Sequence, residues 1–307
     1  MSISEINKLT NLPNIDLLAR QVVEGFITGM HKSPFHGFSV EFAEHRLYNK
    51  GESTRHIDWK LFAKTDKMFV KRYEEETNLR CQVIIDNSAS MHYPENKNTS
   101  FSDLNKIGFS AIAAAALSEI LKRQRDAFGL SIYSDEIDYF SPAKSSERHR
   151  RMLLEQLETL LRSKSKKTTN TYKVLHQIAE KIHRRSMIFL FTDMLQADRK
   201  ENDLFEALRH LKYNKHEVVL FHIFDGKHEL DFNFDDKPKK FIDIETGEKI
   251  NLFADAVKDN YKKAVSKYFN DLKMKCMQYK IDYVSVDINF GVEQILTEYM
   301  IRRQSFL

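Results

Sequence analysis

The chain has 307 residues, enough to form one large domain or two modest ones. Its 42% hydrophobic and 30% charged residues, with only 9 glycines and 5 prolines, are typical of a folded, helix-rich, soluble protein. The 48 basic and 44 acidic residues leave a net charge of +4, which is too balanced to favour nucleic acid as a partner.

The chain shows no sign of a membrane segment or a secretory leader. No apolar run approaches the roughly 20 residues needed to span a bilayer, and the N-terminus lacks the apolar region of a signal peptide. Cys81 and Cys276 lie inside an apparent strand and an apparent helix and have no metal-ligand spacing, which favours buried, reduced thiols. We therefore expect a cytoplasmic protein without a membrane span.

Residues 1–79 differ in character from the rest of the chain and are predicted to be an N-terminal helical and extended region. No Pro- or Gly-rich linker follows, so we expect this region to pack on the core. Arg55, Asp58 and Trp59 form either a functional surface or a buried ion pair beside an anchoring tryptophan. A helix is predicted over residues 6–29, with the apolar stripe Leu17, Leu18, Val22 and Phe26.

From residue 80 to 307, short apolar runs alternate with long amphipathic ones. The predicted strands are 82–86, 128–133, 137–140, 187–191, 217–224 and 281–286. The predicted helices are 103–124, 147–161, one ending near 183, 202–213, 254–279 and 292–302. A hairpin insertion is expected near 241–252, where Gly247 supplies a turn. This alternation predicts an α/β fold with an open, doubly wound, mainly parallel sheet and helices on both faces.

The predicted strand ending at Asp86 runs directly into an acid and two alternate hydroxyls, Asp86, Ser88 and Ser90. Side chains two and four positions apart in a loop can converge, and carboxylate and hydroxyl oxygens suit Mg²⁺ or Mn²⁺ rather than zinc. Asp193 follows another apolar strand. Because ligands in such sheets bind at the carboxyl ends of strands near a reversal of strand order, we expect Asp86 and Asp193 at one edge.

The chain resembles two known families at these and other positions. Asp86, Ser88, Ser90, Thr169 and Asp193 are similar in order and spacing to the metal-ion-dependent adhesion site of von Willebrand factor type A domains. More narrowly, the chain resembles the bacterial DUF58 family from about residue 30 to 300. The stretches that carry this second resemblance are residues 37–44, 48–59, 71–78, 86–91 and 241–248.

The resemblance implies one bound Mg²⁺ or Mn²⁺. The implied ligands are the hydroxyls of Ser88, Ser90 and Thr169 (or Thr168 in its place) and the carboxylates of Asp86 and Asp193, directly or through water. Two carboxylates only neutralise the ion, and Mg²⁺ dehydrates reluctantly, so we expect weak binding with room for another anionic ligand. In this fold that ligand is typically an Asp or Glu of a partner protein.

We therefore expect a non-catalytic, divalent-metal-dependent protein-interaction module. The resemblance further implies an adaptor or client-binding partner of a MoxR-type AAA+ ATPase in chaperone-like maturation or stress response. The alternative is a metal-dependent phosphoryl hydrolase with Asp86 as nucleophile. Against it, Ser88 stands where haloacid-dehalogenase-type phosphatases have a second acid. The chain also lacks a G-x-x-x-x-G-K-[ST] phosphate loop and a G-x-S-x-G nucleophile elbow.

Overall fold

The chain forms two compact units, one made of Met1–Thr28 with Leu79–Leu307 and the other of Gly29–Asn78. The larger unit contains the central sheet. The computed structural model describes residues 14–31, 45–47, 59–65, 67–71, 79–95, 103–163, 171–194, 201–234, 239–244 and 247–306.

From residue 80 onwards, the strands and helices of the described residues follow the predicted order. The helices are α1 (Ile15–His31), α2 (Trp59–Thr65), α3 (Lys106–Arg123), α4 (Glu147–Arg162), α5 (Thr171–Lys181), α6 (Glu201–Tyr213), α7 (Ala254–Gln278) and α8 (Glu293–Phe306). The strands are β1 (His45–Leu47), β2 (Phe69–Lys71), β3 (Arg80–Asp86), β4 (Ala127–Tyr133), β5 (Ile137–Lys144), β6 (Met187–Thr192), β7 (Glu217–Phe224), β8 (Lys239–Ile242), β9 (Lys249–Leu252) and β10 (Asp282–Asp287).

The central sheet has the strand order β10-β7-β6-β3-β4-β5. Every neighbouring pair is parallel except β4 with β5, which is antiparallel. From β3 the chain goes first to β4 on one side and later to β6 on the other, so the strand order reverses between β3 and β6. The predicted open, doubly wound, mainly parallel sheet is confirmed, and its switch point lies at the carboxyl ends of β3 and β6.

Helices cover both faces of this sheet. On one face α5, α6 and α7 pack against alternate strand residues such as Ile84, Leu190 and Leu220. On the other, Phe189 of β6 contacts Tyr299 of α8, and α3 packs between α8 and α4. Because β3, β4 and β6 are thus covered on both faces, nearly every residue in them is buried, and their sequences are predominantly apolar rather than alternating.

Helix α3 is the most deeply buried helix of the larger unit's described part. Its residues Lys106 to Leu121 are all buried, because the alanines at 111 and 113–116 let the backbone approach the sheet closely. The helix begins at Lys106, after Asn105 accepts a hydrogen bond from the backbone N–H of Gly108 at 2.8 Å. The sequence-based helix began at 103, three residues too early, and this cap explains the difference.

Helix α1 corrects the sequence-based prediction. It begins at Ile15 rather than at Ile6, because Asn14 is not helical and its side chain accepts a hydrogen bond from the Asp16 backbone N–H at 2.8 Å. Residues 6–13 lie outside the described residues. Leu17 was assigned to the apolar stripe but is 50% exposed, since a period of 3.6 places it off the buried face. The buried stripe is Ile15, Leu18, Val22 and Phe26.

The predicted hairpin consists of the antiparallel strands β8 and β9. Gly247 has φ +73°, in the left-handed region where glycine is favoured, and its N–H donates to the carbonyl of Asp243 at 2.8 Å. Ile242 and Ile250 lie on opposite faces of this hairpin, and each is more than half exposed. Among the described helices, none has both the length and the apolar character required to cross a membrane.

The smaller unit contains the antiparallel pair β1 and β2 and the helix α2 among its described residues. Trp59, the first residue of α2, is 58% exposed and meets the ring of Phe62 edge-on at 6.1 Å. This exposure does not favour the alternative in which Trp59 anchors a buried ion pair. Arg55 and Asp58, its predicted companions, lie outside the described residues.

Candidate metal centre

Asp86 and Asp193 lie on either side of the switch point of the sheet. Asp86 is the last residue of β3, and Asp193 directly follows β6, the parallel neighbour of β3. Asp86 exposes 2% and Asp193 1% of its surface. The two carboxylates expected at one edge of the sheet do lie there, and the charge of Asp193 helps to raise the pKa of Asp86.

The carboxylate of Asp86 is held by three hydrogen bonds. Oδ1 accepts from the backbone N–H of Ser88 at 2.9 Å, while Oδ2 accepts from Thr192 Oγ1 at 2.8 Å and from Tyr133 Oη at 3.3 Å. Burial raises the pKa of Asp86 to about 6, and the charge of Asp193 adds to that increase. The hydrogen bonds from Thr192 and Ser88 oppose it. Among the described residues, the main influences on this pKa include no cation.

Ser88 and Ser90 bring two hydroxyls together beside this carboxylate. Both side chains are buried, and their Oγ atoms are 3.0 Å apart. A short 3₁₀ turn, Ser90–His92, holds this arrangement, with the N–H of Met91 bonded to the carbonyl of Ser88 at 3.2 Å. The hydroxyls of Ser88 and Ser90, two residues apart in the chain, therefore lie next to each other, as the D-x-S-x-S spacing predicts.

Thr169 and its alternative Thr168 lie outside the described residues, which resume at Thr171 at the start of α5. Among the residues that are described, no three His, Cys, Asp or Glu side chains come together so as to hold a metal ion. The predicted ligands that the structure describes are two buried carboxylates and two adjacent hydroxyls. This all-oxygen donor set fits Mg²⁺ or Mn²⁺ and does not suit zinc, which prefers nitrogen and sulfur ligands.

Lys106, the first residue of α3, provides a cation that the sequence analysis missed. Its Nζ atom donates to Asp193 Oδ2 at 2.8 Å and to Glu229 Oε1 at 2.6 Å, and its side chain is wholly buried. Burial lowers the pKa of Lys106, but the charges of Asp193 and Glu229 outweigh it and leave that pKa above its usual range. The ammonium therefore balances one of the two carboxylates at the switch point.

One signal in the sequence could have drawn attention to Lys106. A lysine at the first position of a helix is opposed by the positive end of the helix dipole. Local rules are most often broken at functional sites. The apolar residues on either side of Lys106 add to the anomaly, because they indicate a buried segment.

The model of a protein family described as "Protein of unknown function DUF58" matches residues 44–269, well over half of the chain. The chain belongs to the DUF58 family. It is 22% identical over 184 residues to an uncharacterized protein of Mycobacterium tuberculosis (strain ATCC 25618 / H37Rv), Rv1480, and equally to Mb1516 of Mycobacterium bovis. Each match covers 60% of this chain and 56% of the relative, so the DUF58 chain spans little more than half the length of these relatives.

Two solved structures are similar over most of the chain. The conserved hypothetical protein BatB from Bacteroides thetaiotaomicron has a TM-score of 0.44 at 15% identity, covering 75% of this chain and 100% of that one. An aerotolerance-related membrane protein from Bacteroides fragilis NCTC 9343 has a TM-score of 0.44 at 14% identity, covering 73% and 99%. Both scores are below 0.5, so the architecture of this DUF58 chain is established by its own strand order.

Two further strands of the DUF58 sheet also end in aspartate, at Asp225 after β7 and at Asp287 in β10. These two carboxylates organise the adjacent loops. Asp225 accepts from Asn289 Nδ2 at 2.9 Å and pairs with His228 at 2.6 Å, and although burial raises its pKa, these bonds hold that pKa below its usual value. Asp287 accepts from the N–H of Gly226 at 3.1 Å, and a Cβ at Gly226 would collide with it. Neither contacts the hydroxyls of the candidate centre.

Helix α7 is hydrogen-bonded to the loops that carry Asp193 and Glu229. Tyr268 Oη donates to the carbonyl of Met194 at 2.7 Å, and Tyr261 Oη donates to the carbonyl of Glu229 at 3.0 Å. Met194 has φ +54°, a left-handed conformation that costs energy in a residue with a side chain. The position of α7 is therefore coupled through two phenols to both residues that bind Lys106.

His222 of β7 fixes the backbone beside the centre. Its Nε2 lies 2.9 Å from the carbonyl oxygen of Asp193, and its Nδ1 lies 2.6 Å from Tyr283 Oη. A carbonyl only accepts, so Nε2 carries the proton and Nδ1 accepts from the tyrosine. Burial lowers the pKa of His222 to about 4, with the charge of Asp193 opposing that decrease, so the ring is neutral at pH 7.

Proposed function

We propose that this DUF58 chain is a non-catalytic protein-interaction module that uses Mg²⁺ or Mn²⁺ to bind a carboxylate of a partner protein. The convergence of Asp86, Ser88, Ser90 and Asp193 at the switch point of the sheet carries this proposal. These groups come from two separate parts of the sequence and present only oxygen atoms. Buried carboxylates that repel each other are stabilised when a cation lies between or beside them.

The existing hydrogen bonds support different roles for the donors. The hydroxyls of Ser88 and Ser90, which contact each other, would bind the ion directly. Both oxygens of Asp86 already accept hydrogen bonds, which supports a role through water and in orienting the loop that starts at Ser88. A bound ion would supply the positive charge that attracts an Asp or Glu of the partner.

The environment of Asp86 also favours binding over catalysis. A nucleophilic carboxylate must reach the substrate, yet Asp86 is 2% exposed and accepts three hydrogen bonds. In the phosphoryl-hydrolase alternative, residue 88 would be a second acid, and it is a serine whose hydroxyl is bonded to Ser90. We therefore propose no enzymatic activity, and we propose a cytoplasmic location on the composition of the chain.

The partner class is proposed from the DUF58 resemblance. We propose a MoxR-type AAA+ ATPase or one of its clients, which would contribute an acidic side chain to the ion. The chain would then serve as an adaptor in chaperone-like maturation or stress response.

The test of metal binding is Mn²⁺ titration of the purified full chain followed by electron paramagnetic resonance. The variants are Ser88→Ala/Ser90→Ala and the control Ser118→Ala, which removes a buried hydroxyl bonded only to its own helix at the Ala115 carbonyl. One weak site, retained in Ser118→Ala and lost in the double variant, is the expected result. Absence of a site in the wild-type chain would contradict metal dependence.

A parallel assay distinguishes binding from catalysis. The wild-type chain and Asp86→Asn are incubated with p-nitrophenyl phosphate and Mg²⁺, and release of p-nitrophenol is followed. No turnover above the buffer rate is expected. Turnover that disappears in Asp86→Asn would instead establish the hydrolase alternative.

A further inference from the structure

The burial of Lys106 requires an explanation beyond helix stability. An ammonium that is wholly removed from water is costly unless it is paired, and the helix dipole at this position adds to that cost. The pairing is complete, with carboxylate oxygens at 2.8 Å and 2.6 Å from Nζ. One of these oxygens belongs to Asp193, which is also a donor of the candidate metal centre.

The same carboxylate therefore faces two cationic partners. The ammonium of Lys106 already contacts Oδ2 of Asp193, and a divalent ion at the centre would need the same negative charge. Two cations beside one carboxylate repel each other, particularly where water is excluded. Retaining Lys106 next to Asp193 must then weaken metal binding.

Glu229 offers the ammonium a second position. Its side chain is 20% exposed, and its Oε1 already contacts Nζ while Oε2 accepts from the N–H of Asp225 at 2.7 Å. Lys106 can therefore remain paired within the protein when its contact with Asp193 is lost. Without Glu229 that loss would leave a buried, unpaired ammonium.

We propose that Lys106 is the internal counter-cation of Asp193, that it sets the affinity of the centre by competing with the metal for this carboxylate, and that Glu229 holds the ammonium when Asp193 serves the metal. This inference rests on the proposed metal centre. It assigns Lys106 and Glu229 as positioning residues, neither of which ligates the ion. It also explains why the affinity should be low and adjustable.

The shift of Lys106 from Asp193 towards Glu229 should also affect the loop that carries Glu229. Glu229 belongs to the π-helical turn Gly226–Leu230, and its carbonyl accepts the hydroxyl of Tyr261 on α7. A stronger contact between Lys106 and Glu229 should tighten this turn. Amide hydrogen exchange within Gly226–Leu230 should therefore slow when metal is added, a change that does not depend on any partner.

The test uses Lys106→Gln in the full chain, with Lys122→Gln as the matched control. Lys122 lies on the same helix, is 40% exposed and pairs with Glu147 at 3.2 Å, so the control makes the same charge change far from the centre. Mn²⁺ affinity is measured by electron paramagnetic resonance. Lys106→Gln should bind at least about tenfold more tightly than the wild-type chain, because a unit charge is removed from a site of low dielectric. Lys122→Gln should change the affinity less than about twofold.

A second variant and a stability measurement test the inference even if Lys106→Gln folds poorly. Glu229→Gln retains Lys106 but removes its alternative carboxylate, so Mn²⁺ affinity should fall by about tenfold. If Lys106→Gln melts at a lower temperature without metal, Mg²⁺ should raise its melting temperature by more than it raises that of the wild-type chain. A variant that Mg²⁺ fails to stabilise would show that Lys106 is only structural and would overturn the inference.

The remaining outcomes separate this inference from the proposed function. Mn²⁺ binding by the wild-type chain with unchanged or weaker binding by Lys106→Gln would refute the competition and leave the metal centre in place. No binding by either chain would refute both. Binding by Lys106→Gln alone would support the competition but would contradict the proposed metal dependence of the wild-type chain.

Discussion

The Nζ atom of Lys106 lies 2.8 Å from Oδ2 of Asp193, and the two side chains expose 0% and 1% of their surface. This ion pair links the start of α3 to the end of β6 at the switch point of the sheet. The charged groups are shielded from solvent, so salt in the buffer should affect the pair little. Its loss should therefore affect stability more than the loss of the exposed pairs elsewhere.

Asp193→Asn should lower the free energy of unfolding by about 2–4 kcal/mol, because it leaves the Lys106 ammonium with only Glu229. The control Asp231→Asn makes the same chemical change at a 66% exposed carboxylate that pairs with Lys262, and should cost less than about 1 kcal/mol. Urea unfolding at pH 7 without metal measures both. Equal costs for the two variants would contradict a special role for the buried pair.

Ionisation of Asp86 should reduce stability as the pH rises. Its pKa in the folded protein is about 6, chiefly because of burial, against a usual value of 3.8. A raised acid pKa means that stability is fully present below about pH 4 and is lost as the pH rises through 6, by about 3 kcal/mol in total. Urea unfolding of the wild-type chain and Asp86→Asn between pH 4 and 7, without divalent metal, measures the difference. Identical pH profiles would show that Asp86 is not perturbed.

His222 should produce the opposite pH dependence. Burial lowers its pKa to about 4 from a usual value of 6.5. The unfolded chain therefore binds a proton that the folded chain does not, and stability is lost as the pH falls from about 6.5 to 4, again by about 3 kcal/mol. His222→Gln keeps a donor for the Asp193 carbonyl and should flatten this part of the profile. In the wild-type chain, the opposite pH dependences of stability due to Asp86 and His222 nearly cancel. Asp86→Asn should therefore reveal the contribution of His222, and His222→Gln that of Asp86.

Tyr268 should support the centre from helix α7. Tyr268→Phe removes only the hydroxyl that donates to the Met194 carbonyl, and should cost about 1 kcal/mol of stability. It should also weaken Mn²⁺ binding, because Met194 directly follows Asp193 and has a left-handed conformation. The control Tyr213→Phe, at an 82% exposed tyrosine, should leave both stability and affinity unchanged. A stability loss without any change in affinity would limit Tyr268 to a structural role.

Much of the larger unit could be predicted from its sequence. Strand β7 has the predicted bounds 217–224, and the largest differences among the other predicted bounds from 80 onwards are 140 against Lys144 and 302 against Phe306. Parallel strands buried on both faces must be continuously apolar, so they stand out from the amphipathic helices between them. The start of α1 was wrong because the cap at Asn14, a side-chain contact, decided it.

The loop from Asp86 to Ser90 was also predictable. Its donors are two and four positions apart, so their convergence depends mainly on local backbone geometry. That Asp193 would lie at the same edge followed from the rule that parallel strands present their carboxyl ends together. The roles of these residues as metal ligands remain predictions.

The sequence by itself determined the order and type of the elements from residue 80 onwards and the oxygen-rich loop after β3, because hydrophobic periodicity and short spacings are local properties of the chain. Only the tertiary structure decided which charge neutralises Asp193. Lys106 is separated from Asp193 by 87 residues and from Glu229 by 123, and nothing local to any of them records the others. The fold removes all three from water, and burial then makes their pairing energetically necessary.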